Sequence, residues 1–262
     1  MDSRDSGSNH ESPVNSQHRY ARQMAVPGIG EAGQKRISEA HALILGLGGL
    51  GSVTATYLAR AGIGILTLVD CGCVDKPDLN RQIFYVEKDL GLPKADVAGQ
   101  RIREINSKVI LNVVPERVEE ANLEEMVGHV DIVLDGLDSL SLRMMANRVC
   151  CEQRKIFIHG GINGTKGVVS SIVPKEGPCL RCIYGERAFD TPGVPVLGPV
   201  PGIVASIQSL EALKYLGGLG LALKGRLLMF EGRTMTFSYR NVERKNGCQH
   251  CANEKNGVKA GF

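Results

Sequence analysis

The 262-residue chain has little net charge, no cluster of basic residues and no long uninterrupted apolar run. Its 31 lysines and arginines stand against 28 acids, a net charge of +3, and no basic stripe of the kind nucleic-acid binders display is present. Nucleic acid is set aside as a partner. The most apolar stretch, residues 194–225, is broken by Pro195, Pro199 and Pro201 and carries Glu211 and Lys214, which argues against a membrane span. The opening residues, "MDSRDSGSNHESPVNSQH", lack the apolar core of an export signal and read as a disordered extension over residues 1–18. The expectation is a cytoplasmic, reducing setting, where the eight cysteines serve as metal ligands or nucleophiles rather than as disulfides. Internal repeats are lacking too. The six histidines are scattered, and His159 in "FIHGG" reads as structural.

What is present is a rhythm. "HALILGLG" is a short apolar run ending in glycine, and "GSVTATYLARAG" places Val53, Tyr57 and Leu58 at helical spacing before Gly62. "GILTLVD" is the next strand, "KADVAGQRIREIN" an amphipathic helix with Val97, Ile102 and Ile105 on one side, and "VILNVVPERV" a strand again. "VDIVLDG" and "KIFIHGG" are two more strands, separated by a helix from Leu140 to Glu152. Strand and helix alternating in this way predict a mostly parallel sheet with helices on both faces. After Gly161 the pattern changes to "GVVSSIVP" and "GRLLMFEGRTMTFSYR", read as antiparallel strands flanking one long helix from Ile203 to Leu216. The expected fold is α/β, a Rossmann-like doubly wound sheet with a C-terminal antiparallel portion.

The pattern Gly46-x-Gly48-x-x-Gly51 lies between the first strand and the helix after it, where backbone N–H groups and a helix N-terminus meet a phosphate. Asp70 ends the following strand, 19 residues after Gly51, where an acid commonly bonds ribose hydroxyls. Alone, the loop fits either a dinucleotide for hydride transfer or ATP for adenylation. Arg81 and Lys94 further on favour ATP, because charge builds on phosphate oxygens as pyrophosphate leaves. Asp138 in "VLDGLDS" follows a strand at the carboxyl edge, where one carboxylate can hold Mg²⁺.

The pairs Cys179-x-x-Cys182 and Cys248-x-x-Cys251 suit a tetrahedral zinc ion with four thiolates and no open position, hence a structural site clipping the C-terminal tail to the domain. Cys71, Cys73, Cys150 and Cys151 show no such pairing and read as buried, inert thiols.

From "RYARQ" at Arg19 to Cys251, the chain resembles the ThiF/MoeB/HesA family, the bacterial relatives of ubiquitin-activating enzymes. The resemblance joins "RYARQ", "GLGGLGS", "LTLVD", "LNRQ", "GLPKA", "VLDGLD", "SIQSLEALK" and both cysteine pairs in the family's order. It implies one adenylation domain over residues 19–262, with a nucleotide-binding part (19–175) and a zinc-clipped, carrier-binding part (176–262). It further implies a homodimer that uses ATP and Mg²⁺ to adenylate the C-terminal glycine of a small ubiquitin-like carrier protein ending in Gly-Gly. On this resemblance Gly46, Gly48, Gly49 and Gly51 line the nucleotide, Asp70 meets the ribose, Arg81 and Lys94 contact the phosphates and Asp138 holds Mg²⁺. Arg22 matches an arginine that reaches into the neighbouring subunit's site.

Four positions depart from the family pattern. Gly72 stands where a second acid is usual, Asp78 stands where asparagine is usual and puts a negative charge near the triphosphate, and Ser139 stands where asparagine often follows the metal acid. Thr191 aligns with a cysteine found in many members, and a hydroxyl with no adjacent base does not replace a thiolate. Adenylation without an enzyme thioester is therefore expected. The alternatives are a non-catalytic carrier-binding scaffold, adenylation of another carboxylate, and a nicotinamide-dependent oxidoreductase on the same fold.

Overall fold

A computed structural model describes residues 18–185 and 193–251. The expected N-terminal extension lies outside them but for His18. The chain enters through α1 (Ala21–Met24) and α2 (Gly30–Glu39), which no periodicity announced. Only Gly33, Gln34 and Ile37 of α2 are buried, too few apolar side chains to leave a pattern. Then come β1 (His41–Leu45), α3 (Gly49–Ala61), β2 (Ile65–Val69), two 3₁₀ turns (Lys76–Asn80 and Glu87–Asp89), α4 (Lys94–Ile105) and β3 (Ile110–Val114). The second half holds α5 (Glu120–Gly128), β4 (Ile132–Asp135), α6 (Leu140–Glu152), β5 (Ile156–Asn163), β6 (Lys166–Ile172), α7 (Leu180–Tyr184), α8 (Pro199–Gly217), β7 (Arg226–Glu231) and β8 (Thr236–Asn241).

Among the described residues the strands form one sheet in the order β3-β2-β1-β4-β5-β6-β7-β8. The first five run parallel, and β5 to β8 pair antiparallel. Both sheet faces are covered. Along β1, Ala42 and Ile44 point into a core with Leu58, Ile102 and Val204, while Leu43 and Leu45 point into a second core with Leu123, Val149 and Phe157. That two-sided burial is why the central strands read as unbroken apolar runs.

Three expectations shift. The strand expected over residues 109–118 spans Ile110–Val114, ending there because Pro115 has no N–H to offer the sheet. The long helix begins at Pro199 rather than Ile203: proline at the first helical position gives up an N–H that has no intrahelical partner there. Tyr57 leaves its helix-face pattern and is exposed between α3 and α8.

β1 lies between β2 and β4, so the chain winds away on both sides of it. The crevice at the carboxyl ends of β1 and β4 is the switch point where ligands bind in such sheets.

Candidate active site

Two glycine turns meet at this switch point. Gly46 leaves β1 with φ of 84°, and its N–H donates to Val69 O at 2.8 Å. A Cβ on Gly46 would lie 2.5 Å from Gly136 O in the turn after β4, and one on Gly51 would lie 1.8 Å from Gly46 O. No other residue fits these two positions without moving backbone. Gly48 and Gly49 face the side chains of Gln82, and of Pro201 and Arg81, respectively. No side chain caps α3 at Gly48, which leaves the N–H groups of its first turn able to donate to an anion.

Asp70 follows β2 and holds the loop itself. Its Oδ2 accepts from Leu47 N–H at 2.7 Å and its Oδ1 from Gly72 N–H at 2.7 Å. Each oxygen keeps a further lone pair for a ribose hydroxyl.

The two predicted phosphate cations converge on one carboxylate. Lys94 Nζ lies 2.9 Å from Asp78 Oδ2, and Arg81 Nη2 lies 3.4 Å from Asp78 Oδ1. Asp78 is buried; it also accepts from Gln82 Nε2 at 2.6 Å and from Asp75 N–H at 3.1 Å. Arg81 Nη1 is further steadied by Pro77 O at 2.7 Å and Asn80 Oδ1 at 2.9 Å. The buried Gln82 Oε1, beside Gly48, has no hydrogen-bond partner among the described residues. A cradle that a Cβ would fill and two cations fit a polyphosphate ligand, whose anionic oxygens accept hydrogen bonds.

Asp138 is exposed in the turn between β4 and α6, and Ser139 caps α6 by accepting from Leu142 N–H at 3.3 Å. Sequence reasoning passed over the acid three residues earlier. Asp135, fully buried at the end of β4, lies 2.6 Å from His159 Nδ1 and 3.3 Å from Arg143 Nε. A carboxylate only accepts, so Nδ1 carries the proton and Nε2 accepts from the Tyr184 hydroxyl at 2.7 Å. Burial holds the His159 pKa below its ordinary value despite Asp135, and burial pushes Tyr184 up to about 12. The signal was an acid closing the apolar run "DIVL", level in the sheet with a histidine at the same position of β5.

The four paired cysteines come together as expected. Cys179 Sγ lies 3.9 Å from Cys182 Sγ and 3.6 Å from Cys248 Sγ, Cys182 lies 3.6 Å from Cys251, and all four are buried. Zinc with bonds of about 2.3 Å needs a sulfur tetrahedron with edges of about 3.8 Å, so the donor set fits the ion. Lys245 N–H donates to Cys182 Sγ at 3.4 Å. Asn147 on α6 ties the two knuckles together, accepting from Leu180 N–H at 2.9 Å and meeting His250 Nδ1 at 3.0 Å.

One predicted residue stands apart from this constellation. Arg22 is exposed on α1, which is fastened to the far end of α3: Gln23 Nε2 donates to Ala61 O at 3.1 Å and Asn106 Nδ2 to Tyr20 Oη at 3.0 Å. The length of α3, about 20 Å for its span, separates that anchor from Gly49. Thr191 lies outside the described residues. Of the four thiols read as buried, Cys150 is buried and Cys151 half-buried, whereas Cys71 and Cys73 are exposed because the segment after β2 runs over the surface toward the first 3₁₀ turn.

The chain is similar to known proteins in sequence and in fold. The profile of the ThiF family matches residues 20–251. The protein "HesA, heterocyst" of Trichormus variabilis is 35% identical over 90% of this chain and 89% of its own. The "SAMP-activating enzyme E1" of Haloferax volcanii is 36% identical over 89% of this chain and 88% of its own. The "molybdopterin-synthase adenylyltransferase" of Escherichia coli is 32% identical over 89% of this chain and 95% of its own. In fold, the chain is similar to the crystal structure of E. coli MccB with ATP, with a TM-score of 0.82 at 22% identity over 91% of this chain and 75% of that one.

Proposed function

This chain belongs to the ThiF family, and from that premise we propose that it is an adenylyltransferase that joins AMP to the C-terminal carboxylate of a small ubiquitin-like carrier protein ending in Gly-Gly. The observation that carries the reading is the convergence of Lys94 and Arg81 on one buried carboxylate beside an uncapped glycine turn. A nicotinamide enzyme has no use for those cations at that place. The names of two relatives, an adenylyltransferase and an activating enzyme, support the same chemistry.

The carrier carboxylate, ionised at neutral pH, attacks the α-phosphorus of ATP, and pyrophosphate leaves with the electrons of the P–O bond. Repulsion between anions is the main barrier, so Arg81, Lys94 and the first N–H groups of α3 neutralise phosphate charge. Gly46, Gly48, Gly49 and Gly51 allow the close approach. Asp70 holds the ribose, and Asp138 would hold Mg²⁺, which supplies further positive charge when bound. Cys179, Cys182, Cys248 and Cys251 would hold a zinc ion whose closed thiolate shell clips the segment after β8 to α7. Arg22 completes the site of a partner subunit, so the active form is a homodimer. Its distance from the crevice of its own chain supports that assignment. Thr191 in place of a cysteine makes the acyl-adenylate the final product on the enzyme. Among the described residues no helix is long and apolar enough to cross a membrane, and the thiolate site suits a reducing, cytoplasmic setting.

A second reading, a carrier-binding scaffold with weak turnover, is favoured by one feature: Asp78 already pairs with both cations. Intact-mass analysis separates the two. Carriers ending in Gly-Gly, incubated with the chain, ATP and Mg²⁺, gain one AMP if the chain adenylates them, and the Arg81→Ala chain does not add it. Carrier binding with no AMP gained on any carrier supports the scaffold and overturns the enzyme.

A further inference from the structure

Of the eight cysteines, four form the paired cluster, Cys150 is buried, Cys151 is half-buried beside it, and two, Cys71 and Cys73, are exposed. The exposed pair brackets a single residue that joins the two halves of the nucleotide site. Gly72 N–H donates to Asp70 Oδ1 at 2.7 Å, and Gly72 O accepts from Lys94 N–H at 2.9 Å. A Cβ on Gly72 would lie 3.1 Å from Asp70 Oδ1 and 3.7 Å from Lys94 Cδ. Cys73 also forms an isolated bridge with Pro93, the residue before Lys94. The ribose acid and the phosphate lysine are thus held through the backbone between two accessible thiols.

We propose that Cys71 and Cys73 form a thiol-disulfide site whose oxidation switches nucleotide binding off. The inference rests on the nucleotide reading of the crevice. Cα atoms two residues apart span at most about 7 Å, at the upper limit of the roughly 4.4–6.8 Å that a disulfide accepts. The bond is therefore within reach, and closing it bends the chain at Gly72, a residue whose freedom permits the bend. Bending there draws the Gly72 N–H off Asp70 and its carbonyl off Lys94. The oxidant is a low-molecular-weight disulfide. A thiolate from one cysteine attacks a sulfur of that disulfide, forming a mixed disulfide and expelling one small thiolate. The second cysteine thiolate attacks the protein sulfur of the mixed disulfide and expels the other. Two protein thiols are oxidised, the small disulfide is reduced to two thiols, and the two protons leave the cysteines for the departing thiolates.

The test uses the full chain loaded with zinc and treated with oxidised glutathione, with disulfides mapped by peptide mass, zinc release followed by a chromogenic chelator, and MgATP affinity measured by calorimetry. The expected result is loss of two hydrogens in the peptide carrying Cys71 and Cys73, no zinc release, and a MgATP dissociation constant raised about tenfold or more. Dithiothreitol restores binding, and Cys71→Ser and Cys73→Ser chains bind MgATP as before and do not respond. A mapped bond with unchanged affinity overturns the proposal, as does failure of the bond to form or a response that persists in both serine variants. If the reduced chain binds no MgATP, the nucleotide reading fails with it, and that case is told apart because the disulfide is read by mass without nucleotide.

Discussion

Replacing Asp78 with asparagine tests how the site handles charge. The substitution keeps the shape of the side chain and one oxygen acceptor while removing the negative charge from between Lys94 and Arg81. The three side chains are 10%, 14% and 24% exposed, so their interaction is only partly screened. At an effective dielectric constant near 20, a pair of unit charges about 3 Å apart attracts by roughly 5 kcal/mol before desolvation is counted. Desolvation of the partners removes most of that figure, leaving about 1–2 kcal/mol for the two pairs together as a working net value. In the free chain that attraction competes with the triphosphate for the same two cations. Asp78→Asn therefore binds MgATP more tightly, by about 5- to 30-fold for 1–2 kcal/mol, and is less stable toward urea by a similar energy. Calorimetric titration of MgATP, with a urea melt of the same sample, reads both quantities. A weaker or unchanged MgATP affinity in a folded Asp78→Asn chain would refute the competition and make Asp78 a support for Lys94 instead.

Other consequences follow from the same geometry. Gly51→Ala places a Cβ 1.8 Å from Gly46 O, so thermal melts show a loss of about 3 kcal/mol or more and calorimetry shows no MgATP binding. His159 is buried with its pKa below the ordinary 6.5, so the unfolded chain takes up the proton first and stability falls as pH drops through about 6.5. Urea melts from pH 8 to 5.5 follow this loss, and His159→Gln flattens but does not abolish it, because the pKa values of His41 and His250 are also lowered by burial. Removing zinc with a chelator exposes four thiols to a thiol reagent and frees the segment after β8, read as new proteolytic cleavage near Cys248. Mixing inactive Arg22→Ala and Arg81→Ala chains restores about a quarter of the activity, since half of randomly mixed dimers carry one intact site. No recovery on mixing would contradict the shared site.

The strands and helices around the crevice were legible because their apolar residues repeat with the period of the backbone, and the glycine turn because only glycine fits there. The features that escaped depend on partners distant in sequence. α2 buries mainly Gly33, Gln34 and Ile37, a face without apolar period. Asp135 was read only as part of the strand "VDIVLDG", because its partners His159 and Arg143 come from β5 and α6. Asp78 was legible as a misplaced charge near a triphosphate; that it holds both cations at once required the first 3₁₀ turn and the start of α4 to be set side by side. Cysteine spacing identified the four-thiolate cluster, but exposure of Cys71 and Cys73 depends on the path of the chain after β2, which spacing does not encode.

The central claim is that Lys94 and Arg81 serve nucleotidyl transfer at this crevice. Carrier-dependent exchange of labelled pyrophosphate into ATP tests it most directly, since that exchange requires reversible attack at the α-phosphorus and no later step. The account predicts exchange with a carrier ending in Gly-Gly and a fall of roughly 100-fold or more in Arg81→Ala and in Lys94→Ala. Exchange undiminished in either variant would contradict it.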